Sequence, residues 1–418
     1  MLTHLYAYIP LSLNNSIKMR TDPIKRALEL RKTLLEQRVY VVDFSDTLQG
    51  KDTSRVIDLM PNVATGEFVF RTKVNVKGMD PIACQEYKQE FFDVSQRTEA
   101  EIEEFIRRQE FDFPLWFKHH PDFSMKKVLD YNTPFILQTG GCNFHDGSST
   151  GGCWHCFVDD KSNDGVRGRG KVSLSASETI ESMLSAREKI KDTYSKLGKD
   201  VNIRVMRTSG GEPTIVLDWI LGLWRQIGEK GLNFVGQIDS NLSTGTVVDS
   251  FEREGVYEPH ILKKLAEYPV KVLTALKGSD EANLQANVQS TTTMKAQEYS
   301  LKKFLKAGFD IYPQMYNPNP ETLGRFLTDI DSKIENLSLR IHIGPLKLYG
   351  PNKQRLEFEA KAREIDPQVF IAQKKKEWDD NYTRSCEVID KYLRGAHGVG
   401  YKDVTRSDVC LKVLSRIK

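Results

Sequence analysis

The sequence predicts an α/β fold made of repeated strand–helix units, and three observations predict it. From Pro134 onward, short β-rich runs alternate with amphipathic helical stretches, the pattern of βα units. The two glycine-rich motifs of the chain, beginning at Gly140 and at Ser209, each fall directly after one of these runs. That is where α/β folds place their ligands, at the carboxyl ends of the strands. The composition, 39% hydrophobic and 28% charged over 418 residues, is that of an ordinary globular chain, long enough for one large core plus appendages or for two to three units.

Residues 1–130 carry no motif. A helix is expected at Pro23–Gln37, strands at Val39–Phe44 and near Phe68–Val76, and an acidic helix at Glu99–Arg108. The aromatic lead-in Phe111–Tyr131, with Phe113, Trp116, Phe117 and Phe123, reads as a packing seam, and His119-His120 as polar surface. Six strands then follow: Phe135–Gln138, Asn202–Thr208, Asn233–Ser240, Val270–Leu276, Phe309–Tyr316 and Leu337–Ile343. The first intervening helix opens on a Ser175/Glu178 capping box and has Ile180, Met183, Leu184, Ile190 and Tyr194 on one face, with Gly198 where a C-cap belongs. The next buries Ile220, Leu223, Trp224 and Ile227 and stops at Gly231; a later one has Leu323, Phe326, Leu327, Ile330 and Ile334 on one side. After Pro345 the chain turns helical and charged, with helices expected at Asn352–Glu364 and Pro367–Arg394.

Alternation along the strands assigns inward side chains. It groups Gln237, Asp239 and Asn241 on the third strand, Tyr312 and Gln314 on the fifth, and Ser338, Arg340 and His342 on the sixth, with Lys277 ending the fourth. So many polar groups suit a chamber that holds a polar ligand better than a packed interior. The alternative is mutual pairing among structural polar groups. Lys277, Arg340 and His342 are the candidate catalytic residues on the substrate side, where an inward guanidinium suits an anionic or carbonyl-rich substrate.

The stretch from Gly140 to Phe157, GGCNFHDGSSTGGCWHCF, places Cys142, Cys153 and Cys156 in a C-x10-C-x2-C arrangement among five glycines. Three thiolates suit a cubane iron–sulfur cluster with one iron left open. A closed zinc shell would need a fourth ligand, His145 or His155, and inert buried thiols are the third alternative. A second motif, Ser209-Gly210-Gly211-Glu212-Pro213, bears on the choice.

With both motifs in view, the chain resembles the radical S-adenosylmethionine (SAM) superfamily. The resemblance implies a partial (β/α)6 TIM-like barrel at 131–345 with an N-terminal extension, 1–130, and a C-terminal helical extension, 346–418. It implies that Cys142, Cys153 and Cys156 hold a [4Fe-4S] cluster and that the turn Gly210, Gly211, Glu212 and Pro213 contacts the methionyl end of SAM. His155, beside Trp154, takes the place of the aromatic residue near the adenine, and Ser240 and Asn241 resemble the ribose-contacting position. The ten-residue spacing between the first two cysteines departs from the usual three. A glycine-rich insertion there costs little closure entropy. The implied reaction is reductive cleavage of SAM to a 5′-deoxyadenosyl radical that abstracts hydrogen from a small-molecule or peptide substrate, with a low-potential flavodoxin or ferredoxin as electron donor.

A formal charge of +3 gives no indication of nucleic-acid binding. No apolar run has the length of a membrane span, and the start MLTHLYAYIPLSL lacks a basic n-region, so a cytoplasmic location is expected. Cys84, Cys386 and Cys410 are scattered singles, which suits a reducing compartment and leaves no auxiliary four-cysteine cluster. Two other classes compete: a zinc-binding structural protein, and a non-catalytic iron–sulfur protein for electron transfer or sensing.

Overall fold

The computed structural model describes residues 20–32, 38–42, 57–61, 68–72, 135–148, 151–167, 171–195, 203–404 and 406–414. The expected helix Glu99–Arg108, the aromatic lead-in Phe111–Tyr131, His119-His120, Cys84 and Gly198 lie outside them. In chain order come α1 (Pro23–Lys32), β1 (Val39–Val42), β2 (Ile57–Pro61), β3 (Phe68–Thr72), β4 (Phe135–Gln138), α2 (Asp160–Asn163), β5 (Lys171–Leu174) and α3 (Ala176–Ser195). Next are β6 (Val205–Ser209), a 3-10 turn (Pro213–Val216), α4 (Leu217–Glu229), β7 (Val235–Ser240), α5 (Gly245–Arg253), α6 (Ile261–Ala266), β8 (Val270–Leu276), α7 (Glu281–Asn287) and α8 (Met294–Ala307). The chain closes with β9 (Asp310–Tyr316), α9 (Pro320–Asp331), β10 (Ile334–Glu335), α10 (Leu337–Arg340), β11 (His342–Gly344), α11 (Gly350–Ala362), α12 (Pro367–His397), a second 3-10 turn (Arg406–Asp408) and β12 (Lys412–Val413).

Strands β4, β6, β7, β8, β9 and β11 pair in parallel in that order, which makes the six-stranded sheet of an α/β fold. The leading region borders it: β2 joins β4 in parallel at the Ile57–Phe135 pair, and β3 runs antiparallel to β2. Among the described residues the sheet stays open, with β11 and β3 at its edges. Separately, β1 pairs antiparallel with β5, and β12 returns the tail to β10.

One face of the sheet carries apolar side chains into the core, among them Phe135, Leu137, Met206, Ile238, Val272, Ile311, Met315 and Ile343. Each such burial contributes about 1.5–3 kcal/mol. The helices supply the other half: α4 buries Trp219, Ile220, Leu223, Trp224 and Ile227, and Trp224 comes so near the sheet that a Cβ on Gly236 would stand 2.1 Å from its ring. The helix starts follow the capping residues. Ser175 N–H donates to the Glu178 carboxylate at 2.7 Å, Thr293 accepts from Ala296 N–H, and Asp366 accepts from Gln368 and Val369 N–H ahead of the long α12.

The expected strand Leu337–Ile343 is a correction. Residues 337–340 form the helical turn α10, and only 342–344 pair with β9. The alternation there is genuine, but Asp331 caps the turn. Its carboxylate accepts the Ser338 N–H at 2.8 Å and hydroxyl at 2.6 Å, satisfying a donor that a strand would have given to its neighbour. Ser338 is thereby tied to the Asp331 carboxylate inside a helical turn instead of lying on a strand. No helix among the described residues is long and apolar enough to cross a membrane.

Candidate functional site

The loop after β4 and the turn after β6 are joined by an approach that only glycine permits. Gly211 has φ +57°, and a Cβ there would stand 2.2 Å from the Gly141 carbonyl oxygen and 2.5 Å from that of Thr139. Across this approach the Glu212 N–H donates to the Gly141 carbonyl at 2.8 Å, and the Thr139 hydroxyl donates to the Gly210 carbonyl at 2.9 Å. The two sequence motifs are therefore one structural unit at the carboxyl ends of neighbouring strands.

Cys142, Cys153 and Cys156 share an apolar pocket with Phe144, Leu284, Val288 and Met294. The Cys156 N–H donates to the Cys153 carbonyl at 3.1 Å, closing the C-x2-C turn, and Cys153 bridges Val288 just beyond α7. Burial and the proximity of the other two thiols push the Cys142 thiol well above its ordinary pKa. Burial also raises Cys153, against the pull of Lys277 and Arg355. Amide donors reach two of the sulfurs: Asn241 Nδ2 lies 3.9 Å from Cys142 Sγ, and Asn163 Nδ2 lies 3.8 Å from Cys156 Sγ. Buried thiols flanked by amide donors and two cations form a donor set suited to an anionic iron–sulfur cluster. Among the described residues no three His, Cys, Asp or Glu side chains converge on a point that would hold a single metal ion. A cubane needs no such point, since each thiolate binds a different iron.

The two histidines separate in role. His145 Nδ1 accepts the Gly147 N–H at 3.0 Å, so Nε2 carries the proton and donates to Asp160 at 3.1 Å, leaving neither nitrogen for a metal. His155 is stacked on Tyr316, ring centres 5.4 Å apart, and its Nε2 lies 3.5 Å from Lys277 Nζ. Burial, then Lys277 and Arg355, hold its pKa well below the ordinary histidine value, which keeps the imidazole neutral and an acceptor. Lys277, which directly follows β8, thus belongs to the cysteine-loop side of the site. Its ammonium also lies 5.1 Å from the Tyr316 ring centre.

The Glu212 carboxylate is turned inward. It accepts from Thr214 N–H, the Thr214 hydroxyl, the Ser240 hydroxyl at 3.0 Å and Asn241 N–H at 2.7 Å, and burial raises its pKa against those bonds. Glu212 therefore fixes the turn to the end of β7, and Pro213 opens the 3-10 turn that Glu212 caps. Ser240 faces this clasp, on the helix side of β7. Asn241 lies at the site itself: its amide donates to Asn143 Oδ1 at 2.9 Å and its Oδ1 accepts from Ser243.

The other face of the sheet carries polar side chains, several of them half-buried. Arg207 on β6 pairs with Asp239 on β7 at 2.7 Å, and the Gln237 amide donates to the same carboxylate at 2.6 Å. Gln314 accepts from the Tyr316 hydroxyl and lies beside His342 across the β9–β11 pair. His342 accordingly shares this face of the sheet and is buried there. Its Nδ1 is 3.5 Å from the Tyr401 hydroxyl, and burial, then Arg406, bring its pKa down to about 3. Arg340 is a correction. It lies at the opposite, amino-terminal end of β9, where it is bound to Asp310 at 2.7 Å and to the Val409 carbonyl at 2.7 Å and stacks on Tyr312. With α10 in place of a strand, its fork is committed to closing the bottom of the sheet, so Arg340 is a structural ion pair.

Sequence reading missed Arg355, Asn143, Tyr316 and Arg207. Continuing the period-two pattern of β9 by one step finds Tyr316, whereas Arg207 lies on β6, a strand for which no inward set was assigned. Asn143 directly follows a ligand-type cysteine. Nothing in the sequence marks Arg355, which reaches the cysteine loop from α11.

No protein-family model and no curated protein matches the chain. Solved structures do. The chain is similar to the cobalamin-dependent S-adenosylmethionine radical enzyme OxsB with aqua-cobalamin and S-adenosylmethionine bound, at 12% identity over 74% of this chain and 41% of that one, TM-score 0.39. It is also similar to a radical SAM methyltransferase from Sphaerobacter thermophilus, at 16% identity over 55% of this chain and 63% of that one, TM-score 0.31. The chain thus spans about two fifths of the length of OxsB.

Proposed function

We propose that this chain is a radical SAM enzyme, and one observation carries the reading. The three-cysteine loop and the Gly210–Pro213 turn are locked together at Gly211, so the ligands of a cluster and a turn of the SAM-binding type form a single site. In this reading Cys142, Cys153 and Cys156 hold a [4Fe-4S] cluster. When bound, the cluster supplies the electron that cleaves the C5′–S bond of SAM to methionine and a 5′-deoxyadenosyl radical, which takes hydrogen from the substrate. The chain's own residues shape and shield the site. Glu212 holds the turn rigid from behind, Asn241 and Asn163 donate toward thiolate sulfurs, and neutral His155 on Tyr316 offers a flat surface beside the loop. The polar face that carries Arg207, Asp239, Gln314 and His342 receives the substrate, a small molecule or a peptide segment. A flavodoxin or ferredoxin supplies the electron. Non-catalytic cluster carriage leaves that polar face unexplained.

The test is product formation. Protein purified without oxygen, reconstituted with ferrous iron and sulfide, and given SAM and dithionite should release methionine and 5′-deoxyadenosine, and Cys153→Ala should release neither. A reconstituted, folded wild type that leaves SAM intact overturns the proposal.

A further inference from the structure

Arg355 lies on α11, about two hundred residues after the cysteine loop, and is fully buried. Its Nη1 donates to the carbonyls of Cys153 at 3.1 Å and Cys156 at 2.9 Å, and its Nη2 to the Val158 carbonyl at 3.4 Å and the Asp160 carboxylate at 2.7 Å. Its Nε is buried with no hydrogen-bond partner among the described residues. Asp160 also accepts a hydrogen bond from His145 Nε2, and His145 lies inside the ten-residue spacer. One guanidinium therefore ties the C-x2-C turn directly, and the insert through Asp160, to a helix of the C-terminal extension. That helix is itself fixed. Asn352 caps its start through Tyr349 N–H at 2.7 Å and the Lys347 carbonyl at 2.8 Å, and Leu356 packs with Phe370 and Trp378, with Trp154 of the cysteine loop against the same cluster.

A fully desolvated guanidinium is costly unless negative charge offsets it. Here its only carboxylate among the described residues, Asp160, is shared and 30% exposed. The remaining contacts are main-chain carbonyls, those of Cys153 and Cys156, whose thiols lie in the site, and that of Val158. Placing a permanent cation under paired cysteines is economical only if those sulfurs carry negative charge.

We infer that Arg355 is a positioning residue for the cluster: it holds the cysteine loop in ligand-ready form and, by its buried charge, favours the reduced state. The inference rests on the radical SAM reading. Cluster potential depends on local charge and hydrogen bonding, so removal of the cation lowers the potential and removal of its counter-ion raises it.

The test is an EPR-monitored redox titration, with iron content, of reconstituted wild type, Arg355→Gln, Arg355→Lys and Asp160→Asn. Arg355→Gln should shift the reduced-to-oxidised ratio at fixed potential by at least tenfold toward oxidised, about 59 mV for a one-electron couple. Arg355→Lys, which keeps the charge, should recover most of that shift. Asp160→Asn should move the ratio the opposite way. Should Arg355→Gln hold no cluster, as its clamping role allows, the readout passes to Asp160→Asn, which should shift the ratio toward reduced relative to wild type while Arg355→Lys stays near it. A wild-type potential in Arg355→Gln or Asp160→Asn, or shifts of the same sign in both, overturns the inference alone. Wild type that binds no cluster overturns the radical SAM reading instead.

Discussion

Replacing Gly211 by alanine tests the junction of the two motifs. The position carries two separable penalties. Its φ of +57° costs an L residue about 1–2 kcal/mol, and the new methyl would stand 2.2 Å and 2.5 Å from two carbonyl oxygens. Those oxygens belong to the main chain of the β4 loop, so relief requires the loop to move. Overpacking of that kind typically costs about 1–3 kcal/mol, for a total of about 2–5 kcal/mol. Gly231 is the internal control, because its φ is +59° and nothing lies within 4 Å of an added Cβ. Gly231→Ala should therefore lose only the backbone part, about 1–2 kcal/mol. Urea unfolding followed by circular dichroism measures both, and SAM affinity by calorimetry reports whether the turn has moved. If Gly211→Ala is no less stable than Gly231→Ala and binds SAM like wild type, the two motifs are not joined as described.

Glu212→Gln sets an amide where the carboxylate accepts from the Asn241 N–H, and should cost about 1–3 kcal/mol of stability while weakening SAM binding through the turn. Wild-type stability in that variant contradicts the clasp. His342 has a folded pKa of about 3 against an ordinary 6.5, so its contribution is present above pH 6.5 and is lost as pH falls toward 3, where the unfolded chain alone takes the proton. Between pH 7 and 5 that is about 2 kcal/mol, and His342→Gln should lose correspondingly less over the same interval. An identical pH slope in the two proteins refutes the burial. Cys410→Ala, at an exposed residue distant from the loop, should leave iron content unchanged; loss of iron would assign that thiol a role the geometry denies it.

The parallel sheet was legible because β8 and β9 are short β-rich runs set between helical stretches, and their sequence-predicted limits nearly coincide with the observed ones. Alternation misplaced Leu337–Arg340, since it cannot register a cap supplied by Asp331. Cys142, Cys153 and Cys156 were legible as a set because their spacing is local, and the structure brings them into one pocket. Lys277 was legible as a site residue but not by neighbour, because His155 reaches it from 122 positions away. Arg355 was invisible for the same reason: its partners lie about two hundred positions away, and all but the Asp160 carboxylate are main-chain carbonyls, which no side-chain pattern announces. Glu212 reads as a ligand contact in the motif, yet its carboxylate is committed to β7, a fact that only the packed turn reveals.

The central claim is that three cysteines hold an iron–sulfur cluster open to SAM. The most direct measurement is iron, zinc and acid-labile sulfide content of the anaerobically purified chain, joined to the EPR spectrum of the reduced protein with and without SAM. The account predicts about four irons and four sulfides per chain, their loss in Cys142→Ala, Cys153→Ala and Cys156→Ala, and a spectrum altered by SAM. One zinc per chain with no acid-labile sulfide, or a cluster spectrum indifferent to SAM, contradicts it.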